Sequence, residues 1–323
     1  MNICSVCGSA VDSYLQRVSD PLTHEIFAVS KCKKCGLGHT VPRPTDLSPY
    51  YPEKYYGSRH GFTTGMYVRR RLRFVAATLP GNKGGRLLDI GCGDGAFLLA
   101  ARAAGWGVTG TERNPAPARS SGLEVHEDVS LLVNTARFDC VTMWHTLEHM
   151  TDIPSVLQKI AMVLKPEGVL IIAVPDFGGL QARFFREHWL HLDVPRHLYH
   201  FDAKALDFCL NAAGFRVHRR WHQEFEYDLL GWSQSALNYL MPRHQNLFFD
   251  ILTGRKGKVG TSTRSAAFIL GALLSVLSLP LLTAGTLLGR GGSLIVAARP
   301  GFAPTISDAL NLDCDAGQSE RGR

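Results

Sequence analysis

Apolar and polar positions along the 323 residues fall into blocks whose period changes from strand-like to helical and back. Leu87, Leu88 and Ile90 suit a short buried strand, and Ala96, Phe97, Leu98, Leu99 and Ala100 a helix that follows it. Strand-like runs recur over 108–111, 123–126, 138–144 and 169–174. Between the last two, Asp152 caps a helix with Pro154 in its first turn and Val156, Leu157, Ile160, Ala161 and Leu164 on one face. Asp202 caps a further helix that presents Leu206, Cys209, Leu210 and Ala213 inward and stops at Gly214. A sixth strand is predicted over 215–222, and its expected antiparallel partner is 293–298. The alternation predicts an α/β fold with a doubly wound sheet.

The first strand ends in a loop with candidate chemistry. Asp89 precedes three glycines at every second position, Gly91, Gly93 and Gly95, which let the backbone turn tightly and approach a ligand without Cβ clash. Glu112 closes the second strand-like run at the separation where such folds present a carboxylate to ribose hydroxyls. A dinucleotide site wants G-x-G-x-x-G to seat a pyrophosphate. The pattern here is D-x-G-x-G-x-G, which favours a nucleotide-type cofactor without phosphates.

Thirty-five basic and 28 acidic residues give a formal charge of +7, an excess too modest to select among an anionic substrate, a lipid surface and nucleic acid. The opening Met1-Asn2-Ile3-Cys4 lacks the basic-then-apolar pattern of a secretory leader, so a cytosolic chain is expected. In that compartment eight cysteines do not read as a disulfide framework. Cys4-x-x-Cys7 and Cys32-x-x-Cys35, each followed by glycine (Gly8, Gly36), instead suit tetrahedral Zn²⁺ held by four thiolates, with a β-hairpin of 14–18 and 25–30 between the pairs. Four filled ligand positions leave none for catalysis, so the metal stands in for the core this small segment lacks. Redox dithiols are the minor alternative.

A proline-punctuated linker follows, in which Tyr50, Tyr51, Tyr55 and Tyr56 are expected to pack the ribbon on the next domain. A basic helical run over 66–79, with Arg69, Arg70, Arg71 and Arg73, reads as a solvated face.

On Asp89, Gly91, Gly93, Gly95 and Glu112 the chain resembles the class I methyltransferases that use S-adenosylmethionine, over residues 86–223 and again from about 293. The resemblance implies a Rossmann-like seven-stranded methyltransferase sheet, with an N-terminal zinc ribbon and an apolar helical insertion before the last strand added to it. It implies that Glu112 binds the cofactor's ribose and that an acidic residue after the third strand, Asp128, contacts its adenine. The segment 138–176 is similar to the corresponding part of quinone and sugar methyltransferases.

His145-Thr146-Leu147-Glu148-His149 sits at the carboxyl end of the fourth strand, where open α/β sheets bind ligands. Residues 188–200 pack four histidines, an arginine and a tryptophan into thirteen positions and should lie over the transfer site. His145, His197 and His191 are therefore the candidate proton acceptors, against the alternative that they form a hydrogen-bond network. A second metal site made by these histidines is the weaker reading, since no ligand spacing marks it.

Residues 266–288 form a run of 23 without one charge, long enough to cross a bilayer but interrupted by Pro280 and Gly285. Arg255, Lys256, Lys258 and Arg264 flank it. A seventh strand that must rejoin the sheet excludes a single crossing, so a broken helical hairpin dipping into one leaflet is expected, with 229–252 as an interfacial helix. A dimer interface or a cover for the sheet is the soluble alternative.

The expected organisation is a zinc ribbon over 1–41, a linker and leading helix over 42–85, and a methyltransferase core over 86–224. The apolar insertion over 225–291, the last core strand over 292–300 and a disordered tail over 301–323 complete it. The activity implied is methyl transfer from S-adenosylmethionine to a small or lipid-linked acceptor, a sugar or polysaccharide precursor by resemblance to ribbon-bearing bacterial methyltransferases. It would act in the cytosol at the inner face of the membrane, with S-adenosylmethionine and zinc as cofactors. The rivals are a nucleic-acid methyltransferase, disfavoured because no Asn-Pro-Pro-Tyr-type motif follows the fourth strand, and a non-catalytic cofactor-binding module.

Overall fold

The computed structural model describes residues 3–51, 64–81, 84–255 and 259–301. Tyr55, Tyr56, Lys256, Lys258 and the tail beyond Gly301 lie outside them.

The chain opens with three antiparallel strands, β1 (Val11–Ser19), β2 (Ile26–Cys32) and β3 (Gly38–Val41), which extend the predicted hairpin at both ends. Helix α1 (Thr64–Thr78) leads into β4 (Arg86–Ile90), α2 (Ala96–Ala103), β5 (Gly107–Thr111), α3 (Ala116–Ser120) and β6 (Val125–His126). β7 (Phe138–Trp144), α4 (Ile153–Val163) and β8 (Leu164–Pro175) follow, then α5 (Leu180–Phe185), β9 (Tyr199–His200), α6 (Ala203–Ala212) and β10 (Phe215–Trp221). The insertion contains α7 (Phe225–Leu240), α8 (Leu247–Leu252), α9 (Thr261–Leu277) and α10 (Leu279–Leu287), and β11 (Ser293–Pro300) closes the fold.

The main sheet has seven strands in the order β10-β11-β8-β7-β4-β5-β6. β6, β5, β4, β7 and β8 run parallel, and β11 lies between β8 and β10, antiparallel to both, its pairing with β10 being the one the sequence predicts. Central strands are buried on both faces and are accordingly continuous in apolar residues: Val169 to Val174 and Leu294 to Ala298 have no exposed surface. Caps match their expected residues, since Asp152 accepts from Ser155 N at 3.1 Å and Asp202 from Ala205 N at 2.9 Å. On α4 the buried face is Ile153, Leu157, Ile160 and Val163; Ala161 is exposed and Leu164 already starts β8.

The ribbon is not a separate body. β9, from the histidine-rich loop, pairs with β3, so the small sheet runs β1-β2-β3-β9. Arg196, from the same loop and 2% exposed, bonds Asp20 at 2.8 Å and Asp193 at 2.7 Å. Lys31 reaches Asp202 at 2.9 Å, and Tyr50 donates to Glu25 at 2.5 Å, so this tyrosine packs as expected.

The insertion differs from the predicted hairpin within 266–288. α9 and α10 run on through a bend of 43° at Ser278, and both pack against α7. No single helix among the described residues is long and apolar enough to cross a membrane. Nor is 229–252 one interfacial helix. It breaks at Pro242, and its α7 part buries Ser233, Gln234, Ser235 and Asn238. Gln234 donates to Asn238 at 2.8 Å and accepts from Phe249 N at 2.7 Å, which ties α7 to α8. This polar interior makes α7 a strut. The unpartnered apolar surface is on α9 and α10, where Ile269, Leu273, Val276, Leu277, Leu287 and Leu288 are exposed.

Arg196→Met should leave the buried Asp20 carboxylate and the half-buried Asp193 carboxylate without their guanidinium partner. The expected loss is about 3–5 kcal/mol of stability, read from denaturant unfolding, with Asp20→Asn losing less.

Candidate active site

The carboxyl ends of β4, β5, β6 and β7 converge on one edge of the sheet, and the predicted cofactor residues assemble there. Asp89 is buried at the end of β4 and accepts from the Thr142 hydroxyl at 2.6 Å. Burial pushes its carboxyl up to about 7, against the Thr142 hydrogen bond and the nearby Arg71.

The loop after β4 is pinned by Gly91 N and Cys92 N, which donate to Thr111 O at 2.8 and 3.0 Å. All three glycines take positive φ. Gly91 has a second reason: a Cβ there would lie 2.5 Å from the Thr146 side chain. Gly93 faces open space, so its backbone is the part of the loop that a ligand can approach. Its N–H donates to Glu112 Oε2 at 2.9 Å, which joins the loop to the carboxylate at the end of β5. Asp128 is exposed, caps the turn over Val129–Leu132 by accepting from Ser130 N at 2.8 Å, and lies 3.6 Å from Lys159.

β7 delivers His145 beside this loop, in a left-handed backbone conformation (φ 52°) unusual for a non-glycine residue. The ring stacks on Tyr227 of α7 at 4.0 Å, and Tyr227 stacks on His191 at 3.9 Å, forming a three-ring pile. Nε2 of His145 forms a short hydrogen bond with Glu224, and Nδ1 lies 3.7 Å from Glu148. Burial alone would lower the basicity of His145, but Glu224 and Glu148 outweigh it and raise the pKa to about 9, while Glu224 is held down to about 2. His145 is thus an imidazolium at neutral pH. His191 is buried and driven down to about 3, chiefly by desolvation, with Nε2 at 3.3 Å from Tyr227 O. His197 gives Nδ1 to His191 O at 2.9 Å and turns Nε2 toward Glu148.

The basic face of α1 is not wholly solvated. Arg70 forms a tight ion pair with Glu226, and Arg71, 13% exposed, lies over Trp144 at 4.9 Å and reaches Glu224 at 4.0 Å. Charge runs on a helix read as solvated faces because their partners are remote, here on α7 more than 150 residues away. Glu224, at the end of the sixth strand-like run, carried no sequence signal of its own.

In the ribbon, Cys4 Sγ and Cys35 Sγ are 3.7 Å apart, Cys7 Sγ and Cys32 Sγ 3.4 Å, and all four sulfurs lie within 4.8 Å of one another. Gly8 N and Gly36 N donate back to Cys4 O and Cys32 O at 2.9 and 3.1 Å, turning each knuckle. Four thiolates 2.3 Å from one ion would be about 3.8 Å apart, so the set fits tetrahedral zinc. A separate apolar cavity of about 210 Å³ opens between α5, α7, α9 and α10, walled by Phe184, Phe185, Trp232, Ala236, Leu274 and Leu277.

A family model described as a methyltransferase domain matches residues 63–220. A ubiquinone biosynthesis O-methyltransferase of Haemophilus ducreyi is 34% identical over 119 residues, covering 32% of this chain and 50% of that protein. Its counterpart in Alkalilimnicola ehrlichii is 35% identical over 115 residues, covering 32% and 47%. The chain thus spans about half the length of the curated relatives it matches. Among solved structures, the 1,6-didemethyltoxoflavin-N1-methyltransferase of Burkholderia thailandensis, bound to its substrate and S-adenosylhomocysteine, is 16% identical. That match covers 85% of this chain and 96% of the other at a TM-score of 0.48.

Because the folded His145 pKa, about 9, exceeds its ordinary 6.5, the pair adds stability that is complete below pH 6.5 and is lost as pH rises toward 9. Glu224→Gln should remove this alkaline loss, so that the unfolding free energies of variant and wild type converge above pH 9, measured by urea titration at each pH.

Proposed function

We propose that the chain transfers the methyl group of S-adenosylmethionine to an oxygen of a small, lipid-linked acceptor, a reading supported by the match of residues 63–220 to a methyltransferase-domain model. The observation that carries the cofactor is the joined pair of Gly93 N and Glu112, with open space at Gly93. In this reading the Gly91–Gly95 loop receives the methionyl part, Glu112 the ribose hydroxyls and Asp128 the adenine edge, with the sulfonium facing the end of β7. S-adenosylmethionine brings an electrophilic methyl on a positively charged sulfur. The transfer then needs an in-line nucleophile at about 3 Å, so most of the catalysis is positioning. His145 already carries its proton at neutral pH and has Glu224 and Glu148 at its two nitrogens, so its part is to fix the end of β7 against α7 rather than to take the acceptor's proton. His191 and His197 lie behind it in the same role.

Oxygen as the methylated atom is supported by the relatives named as ubiquinone biosynthesis O-methyltransferases. A lipid-linked acceptor is supported by the apolar cavity between α5 and the insertion, and by the exposed leucines of α9 and α10 beside it. These leucines would rest in the headgroup region of a membrane and bring the acceptor's tail to the cavity. The tetrathiolate cluster would hold zinc and supply the ribbon with the core its few apolar residues do not. A sugar acceptor has no separate support in the geometry.

Calorimetry of the full chain should show binding of S-adenosylmethionine and S-adenosylhomocysteine. Gly91→Ala, strained in its φ and driven against Thr146, should weaken both by roughly tenfold or more; absence of binding to the wild type would end this reading. In flotation with anionic phospholipid vesicles the wild type should rise with the lipid, and Ile269→Glu/Val276→Glu should remain in the dense fraction. Equal flotation of the two would exclude α9 as the contact.

A further inference from the structure

The crossing of the histidine-rich loop over the end of β7 brings together three potential ligands that sequence spacing does not mark. Glu148 and His149 occupy the turn after β7, and His197 arrives from the loop. Leu198 N donates to Glu148 O at 2.9 Å, and this backbone bond sets their register. One ligand atom from each of the three side chains lies within 4.8 Å of the other two.

Two features distinguish this cluster from an ordinary buried network. Glu148 is 1% exposed, yet neither carboxylate oxygen accepts a hydrogen bond among the described residues. The crevice it lines with His191 and His197 is too narrow to admit water. An orphaned buried carboxylate is costly, and the nearest cationic group, His145 Nδ1 at 3.7 Å, offsets charge without satisfying either oxygen. Each ligand histidine, moreover, is oriented through its other nitrogen. His149 Nδ1 donates to Arg196 O at 2.8 Å and His197 Nδ1 to His191 O at 2.9 Å. Both rings therefore carry the lone pair on Nε2, and a backbone carbonyl behind each ring is the arrangement that holds metal-ligating histidines in place.

We propose that Glu148, His149 and His197 form a second metal site, distinct from the four cysteines, that takes a divalent first-row transition ion. His197 Nε2 and Glu148 Oε1 are 3.9 Å apart. Ligands on a common ion at 2.0–2.2 Å would be about 3.3 Å apart, so the His197–Glu148 pair must close by about 0.6 Å and no pair by more than about 1.5 Å. Two imidazoles and a carboxylate suit Zn²⁺, Fe²⁺ or Co²⁺ and do not suit the softer ions that thiolates favour. The bound ion would satisfy Glu148 and clamp the loop to the end of β7.

The test is metal content of the full chain equilibrated with Co²⁺ and freed of excess, read by mass spectrometry and by absorption, since thiolate ligands give an intense charge-transfer band that imidazole and carboxylate do not. The wild type should hold about two equivalents, and His149→Gln and Glu148→Gln about one each with the thiolate band unchanged. Cys32→Ser should lose the band and keep the equivalent that depends on His149. A wild type holding a single, wholly thiolate-bound equivalent would overturn the proposal, as would a folded His149→Gln that holds as much cobalt as the wild type. The wild-type stoichiometry decides the matter even if a variant fails to fold, and Glu148→Gln, which keeps side-chain volume, supplies the second comparison.

Discussion

A single guanidinium fixes the relation between the two halves of this molecule. Arg196 is buried between Asp20 of the ribbon and Asp193 of its own loop. Burial would push the Asp193 carboxyl up, but Arg196 and His197 hold it well below the usual carboxylate range, so the charges persist through ordinary pH. Such an arrangement does not add much stability over an apolar filling of the same volume; it penalises every other arrangement, because any displacement strands charge in a low dielectric. The loop's path is specified this way. From that path follow the pairing of β9 with β3, the bond from Leu198 to Glu148 and the approach of His197 to the end of β7.

The same logic organises the face near the cofactor loop. His145 is held charged by Glu224, Glu224 is reached by Arg71, and Arg70 pairs with Glu226, so α1 and the start of α7 meet through alternating charge. Asp228, one turn further along α7, works differently. Burial lifts its carboxyl to about 8, and in that protonated state it sits against the Ser293 hydroxyl at 2.5 Å, with Gly292 N at 3.2 Å, at the start of β11. One helix thus uses ionised carboxylates toward α1 and a neutral one toward the sheet, and the difference is set by whether a cation is within reach.

What was legible in the sequence was whatever depends on near neighbours. The strand periods, the Asp152 and Asp202 caps, the glycine loop with Glu112 and the cysteine knuckles each declare themselves within about twenty residues, because their geometry is closed locally. The pairing of β11 with β10 was recoverable at long range only because its apolar run needed a sheet to enter. Side chains whose meaning rests on a remote partner could not be read. Arg70 and Arg71 look like solvent-facing charge until α7 is folded over them. Glu148 and His149 are marked in the sequence only by their place at the end of a strand, and their grouping with His197 appears once the loop crosses them. The apolar residues of 229–252 read as one interfacial helix, whereas the fold ends α7 before Pro242 and makes an interior of its amides.

The insertion lies between β10 and β11, which are antiparallel neighbours and could be joined by a turn of a few residues. About seventy residues stand there instead, and their two ends meet where Gly291 packs against the His222 carbonyl. Entry and exit at one point make the arm topologically dispensable: excising it and closing the gap with a tight reverse turn leaves every strand of the sheet with its neighbours. Exchanging this excursion would nonetheless have to keep Glu224, Glu226, Tyr227 and Asp228, whose side chains engage His145, Arg70 and Ser293 of the scaffold.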